Sequence, residues 1–255
     1  MKRNRVTQIG LDRLLRLQWL EKVHLLVSAG NDAKAVKTVL QQDLSGEFRS
    51  ERTDVRGSLD KIITVLMKVW LTVPPEIGEF RRDGVALLQS ASEHCRVAVH
   101  WGMVMAAYPF WAAVAAQAGR LLRLQGTVPA AQVQRRIKEQ YGERETVSRR
   151  ARYVLRSFLD WGVLRESRTK GIYSQGDVVA VDDAWLIAWL AEAALYVRPD
   201  GSGPLKELMA DPCFLPFRFA PIRADALSDA SSRIDVFRLG MDEDLLVLRK
   251  KNRIE

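Results

Sequence analysis

The chain has 255 residues, 47% of them hydrophobic and 27% charged, which is long enough to bury a substantial core and excludes a disordered, collagen-like or disulfide-scaffold protein. Its net charge of +8 is unevenly spread: +4 over residues 1–119, +8 over 120–175, −7 over 176–248 and +3 over the last seven. A basic block followed by an acidic one points to an anionic partner for the first and a different role for the second.

In chain order, Lys2, Arg3 and Arg5 are basic, but Asp12, Arg13 and Arg16 interrupt the apolar run a signal peptide would need, so a cytoplasmic location is expected. Apolar residues at 11, 14, 15, 17, 20, 25 and 26 predict a helix over Leu11–Ala29, stopped by Gly30-Asn31. Asp32 reads as the N-cap of a second helix that turns Val36, Val39, Leu40 and Leu44 inward. The polar stretch EFRSERTDVRGSLD leads into a third, with Leu59, Ile62, Ile63, Leu66, Val69 and Trp70 apolar and Pro74-Pro75 at its end; a fourth covers roughly Ile77–Cys95.

Val97–Ala118 contains no Asp, Glu, Lys or Arg and is nearly long enough to span a bilayer. His100, Pro109 and Gln117 lie inside it, and Pro109 would break the backbone ladder at mid-membrane depth. Two buried helices meeting at Tyr108-Pro109 fit better than a membrane span. Residues 1–109 are therefore expected to form a helical bundle.

The stretch 110–175 carries the distinctive constellation. Phe110–Leu124 is an apolar helix ending at Gly126, and Pro129 sits in the first turn of a helix that runs to Tyr141. A further helix starts near Thr146 and ends at Gly162. On a helical wheel Val147, Ala151, Val154, Leu155, Phe158 and Leu159 share one face, and Arg149, Arg152, Tyr153 and Arg156 share the other. Val163-Leu164 and Ile172-Tyr173 flank a basic, glycine-containing tip, as a hairpin requires.

Helix, helix, arginine-faced helix and basic hairpin is the order of a winged helix-turn-helix. Its recognition helix enters the major groove of double-stranded DNA, where arginine pairs with guanine. Arg135, Arg136 and Lys138, with Arg165, Arg168 and Lys170 on the hairpin, would meet phosphates; Arg144, Ser148 and Arg150 complete the candidate DNA-binding set. Six to eight phosphate contacts imply a log–log salt slope of roughly −5 to −7.

Residues 176–255 are expected to form an acidic α+β module. Asp182 or Asp183 caps a helix over Val181–Leu195, and DGSGP turns into a short helix at Leu205–Met209. PCFLPFRFAPI reads as irregular or edge strand, Asp225–Val236 as helix and Leu245–Leu248 as strand. The module either docks a partner protein through exposed aromatics or packs against the bundle.

The order of three stretches, RSERTDVRGSLDKI, AAYPFWAAVAAQAGRLL and SRRARYVLRSFLDWGVL, resembles the BrxA family of small proteins from bacterial BREX phage-defence systems, over roughly residues 10–165. The resemblance implies a DNA-binding accessory protein working beside a methyltransferase and other defence components; the acidic module, outside the resemblance, is the candidate contact for such proteins. The resemblance itself says nothing of residues 176–255.

No catalytic motif, metal site or cofactor is expected. His24, His94 and His100 lack ligand spacing, the carboxylates of DEDLL (Asp242, Glu243, Asp244) stand alone, and Cys95 and Cys213 fit unpaired buried thiols in a reducing compartment. The expected protein is mainly α and non-enzymatic; oligomeric state is not legible. A stand-alone transcriptional regulator and a protein–protein adaptor are the alternatives.

Overall fold

A computed structural model describes residues 7–47, 55–240 and 243–249. Lys2, Arg3, Arg5, most of the RSERTDV stretch, Asp242 and the basic tail 250–255 lie outside the described residues. The protein is mainly helical, with three small sheets.

The first helix, α1 (Leu17–Ser28), begins six residues later than the periodicity predicts. Residues 11–16 instead form a strap along the α8 helix described below. There the Leu15 amide donates to Ser157 Oγ (2.9 Å), and the Leu15 carbonyl accepts from Trp161 Nε1 (2.8 Å). These side chains satisfy backbone groups that a helix would otherwise satisfy internally. Asp32 caps α2 (Ala33–Leu44) as expected, its carboxylate accepting from the Ala35 amide at 2.8 Å. Helix α3 (Val55–Trp70) ends before Pro74, and α4 (Gly78–Ser90) stops short of Cys95, which lies in a separate 3-10 turn, Glu93–Cys95.

The apolar stretch divides at Tyr108 into α5 (Arg96–Ala107) and α6 (Pro109–Gln125), bent by 119°. Proline at the first position of α6 lacks an N–H that would be unpaired there in any case. Among the described residues no single helix is long and apolar enough to cross a membrane, and every residue from Ala98 to Ala107 is buried by protein.

After Gly126 (φ 71°) the chain forms β1 (Thr127–Pro129), α7 (Ala130–Tyr141), α8 (Glu145–Asp160), β2 (Leu164–Glu166) and β3 (Ile172–Gln175). The three strands make an antiparallel sheet in the order β1-β3-β2, with Val128 opposite Tyr173 and Arg165 opposite Ser174. The sequence reading missed β1: three residues ending in proline carry too little alternation to register as a strand.

Strand β4 (Val179–Val181) leads into α9 (Ala184–Tyr196), whose N-cap is Asp183, accepting from the Leu186 amide at 2.7 Å. β5 (Ser202–Pro204), α10 (Leu205–Met209), β6 (Phe217–Phe219), α11 (Ala224–Ala230), β7 (Ile234–Arg238) and β8 (Asp244–Leu248) follow. β4 pairs in parallel with β6, and β5-β8-β7 form an antiparallel sheet. The helix expected over Asp225–Val236 is therefore half helix and half strand: after Ala230 the backbone turns extended, and β7 gains a ladder with β8.

A continuous hydrophobic core runs from Leu11 to Leu246 and draws on all three stretches of the chain. The residues after 176 pack against the helical bundle rather than standing apart. Trp189 of α9 stacks on Phe80 of α4 (4.1 Å between centroids) and donates to the Phe80 carbonyl (2.9 Å). A Cβ added at Gly102 of α5 would lie 2.4 Å from the Trp189 ring, so only glycine admits that approach. Among the aromatics after residue 176, Phe214 is buried, Phe217 and Phe219 are half-buried, and Phe237 is exposed.

Candidate nucleic-acid interface

Helix α8 is amphipathic because its apolar residues recur every three or four positions. Val147, Ala151, Val154, Leu155 and Phe158 are buried, each worth about 1.5–3 kcal/mol for the larger side chains. Phe158 packs against Trp101 and Trp111, with centroids at 5.0 and 4.8 Å. Residues on either side of the strap hold the helix as well: Arg150 donates to the Ile9 carbonyl, and the Leu17 amide donates to Asp160 at 3.2 Å.

The opposite face is open to solvent. Arg149, Arg152 and Arg156 are exposed, and Tyr153 is half-buried at the edge of the stripe. Glu145, the first residue of α8, lies on the same line as the arginines, since positions i, i+4, i+7 and i+11 fall within about 60° at 100° per residue. Its carboxylate stands 4.0 Å from Arg152 Nη2. Among the described residues Arg149 and Arg156 have no carboxylate within ion-pair distance.

The hairpin tip, Ser167–Gly171, carries exposed Arg168 and Lys170. It is ordered by bonds of Ser167 Oγ with Thr169, and Gly171 takes φ 78°, a conformation that favours glycine. The Gly171 carbonyl accepts from the Ala130 amide (2.8 Å), which fixes the hairpin to the start of α7. Buried Tyr173 on β3 lies where Glu166, Arg156 and Arg152 all act on its hydroxyl; burial, the largest influence, raises its pKa.

Two candidate residues do not belong to this face. Ser148 is buried, its hydroxyl donating to Gln134 Oε1 of α7 (2.7 Å), so it joins the two helices. Arg150 is half-buried and occupied by the Ile9 carbonyl. Four other cations have carboxylate partners: Arg135 with Glu139 (3.7 Å), Lys138 with Glu143 (2.7 Å), Arg152 with Glu145, and Arg165 with Asp177. Arg144 is exposed, Arg136 is half-buried, and neither has an ion pair among the described residues. The carboxylates were overlooked in the sequence, although Glu145 is visible on the same helical wheel as the arginines.

A second group of titratable side chains lies inside the bundle. Trp70 Nε1 donates to His100 Nδ1 (3.1 Å), which leaves the His100 proton on Nε2, 3.0 Å from Glu21 Oε1. Burial would raise the Glu21 carboxyl, but hydrogen bonds from His100 and Arg96 outweigh it and hold the group at about 2. His24 nearby is pushed down to about 4, chiefly by burial. Cys95 and Cys213 are free and buried, as expected. Among the described residues no three His, Cys, Asp or Glu side chains are placed to hold a metal ion.

Comparison with protein-family models, with curated proteins and with solved structures gives no match.

Proposed function

We propose that α6, β1, α7, α8, β2 and β3 form a winged helix-turn-helix that binds double-stranded DNA, with α8 in the major groove and the β2–β3 hairpin on the flanking backbone. The observation that carries this reading is the exposed arginine stripe of α8, Arg149, Arg152 and Arg156, together with a hairpin tip on which Arg168 and Lys170 are exposed. Arginine suits this role because its planar donors match the O6 and N7 acceptors of guanine and the oxygens of phosphate. The element order and the β1-β3-β2 sheet support it, since β2 packs on α8 and the hairpin is tied to the start of α7. The role is one of binding rather than catalysis. The resemblance to the BrxA family extends the proposal to an accessory part in bacterial phage defence.

The test is fluorescence-anisotropy titration of a duplex at low salt. Wild type is expected to bind, and a protein with Arg149, Arg152 and Arg156 all changed to alanine is expected to bind at least tenfold more weakly while keeping its circular dichroism, since each arginine contact to a base is worth about 1–3 kcal/mol. Wild type that fails to bind duplex at low salt would replace this reading with the protein–protein adaptor.

A further inference from the structure

The stripe on α8 is not uniformly basic: it begins with a carboxylate. Glu145 is 77% exposed, lies in line with Arg149, Arg152 and Arg156, and sits at the N-terminal end of the helix, the end from which recognition helices reach base edges. A carboxylate among phosphates is unfavourable unless it finds a hydrogen-bond donor, because like charges in a groove of low dielectric repel strongly. In the major groove those donors are the exocyclic amino groups, and the pairing that suits a carboxylate is the N4 amino group of cytosine.

Resting on the DNA-binding reading, we infer that Glu145 is a specificity-determining residue that selects a C·G base pair beside the guanine taken by Arg149. Two features of the stripe support this assignment. Arg149 stands one turn along from Glu145 and has no carboxylate of its own among the described residues, so both side chains are placed to address neighbouring base pairs. In the free protein Arg152 Nη2 stands 4.0 Å from the Glu145 carboxylate, so the two lie together on the stripe. On DNA lacking cytosine at that position, Glu145 remains beside Arg152 and offsets its attraction for the backbone. The same group therefore favours the right sequence and weakens binding to all others.

The experiment is selection from a randomised duplex pool with wild type, Glu145→Gln and Glu145→Ala, followed by titration of the selected and random duplexes. Wild type should enrich one cytosine adjacent to a guanine and prefer it about tenfold over other bases at that position. Glu145→Gln should move the preference to adenine, whose N6 and N7 match a carboxamide. Glu145→Ala should erase it and bind random duplex several-fold tighter, with a salt slope steeper by about 0.9 as Arg152 is released. The same selected sequence from all three proteins would overturn the inference, and leave the DNA-binding reading standing if binding still depends on Arg149 and Arg156. Absence of arginine-dependent binding in wild type would overturn both.

Discussion

Helices α8 and α9 treat charge in opposite ways. α8 buries one face and presents arginines on the other, so its charges have water or a partner to satisfy them. α9 is buried from Leu186 to Leu195, and the single charge within that run, Glu192, is fully buried. Arg233 answers it with two bonds, Nε to Oε1 at 2.6 Å and Nη2 to Oε2 at 2.9 Å, and reaches Asp83 of α4 at 2.6 Å. Ser231 adds a third donor to Glu192 at 3.1 Å. A buried charge must find its partners inside the fold, whereas an exposed stripe leaves them to be supplied from outside.

The largest effect should come from breaking the internal answer. Arg233→Ala leaves Glu192 buried and uncompensated, and chemical denaturation should record a loss of about 3–5 kcal/mol. The arginines of α8 should behave in the opposite sense: changing all three to alanine should shift stability little, at about 0.5 kcal/mol or less per site.

The second effect is on pH. His24 has a folded value of about 4, below the 6.5 or so of an unfolded histidine, so the unfolded chain binds the extra proton first. Its contribution is fully present above about pH 6.5 and is lost as the pH falls towards 4, a decline of up to about 3 kcal/mol that denaturation at stepped pH would read.

Gly102→Ala sharpens the comparison from the α9 side. Its new Cβ would meet Trp189 at 2.4 Å, and the overpacking should cost about 1–3 kcal/mol, measured as a lowered denaturation midpoint. The smallest effect falls on the strap. Ser157→Ala removes the acceptor of the Leu15 amide and should cost about 1 kcal/mol, with faster amide exchange confined to residues around Leu15.

The contrast between the two helices also explains what could be read from the sequence. The wheel of α8 separates apolar from basic residues by periodicity alone, so its core face, its arginine face and the hairpin after it were legible. The Asp32 cap and the break at Tyr108-Pro109 were legible for the same local reason. What depends on distant partners was not. Nothing near Leu15 signals Ser157 or Trp161, which draw residues 11–16 out of a helix. Nothing near Ser148 signals Gln134, and nothing near Glu192 signals Arg233. Strand β1 exists because β3 pairs with it, not because Thr127–Pro129 favours a strand.

The most direct test of the central claim is the salt dependence of duplex binding by the wild type. Arg136, Arg144, Arg168 and Lys170 have no carboxylate partner among the described residues, and the surface pairs of Arg135, Lys138 and Arg165 are weak enough to yield to phosphate. Six such contacts give a log–log slope of about −5, at the shallow end of the range expected from sequence. A slope near that value, with binding at least tenfold weaker when Arg149, Arg152 and Arg156 become alanine, is the result expected of an α8 interface. Binding that is absent at low salt, or that is equally tight without those arginines, would contradict it.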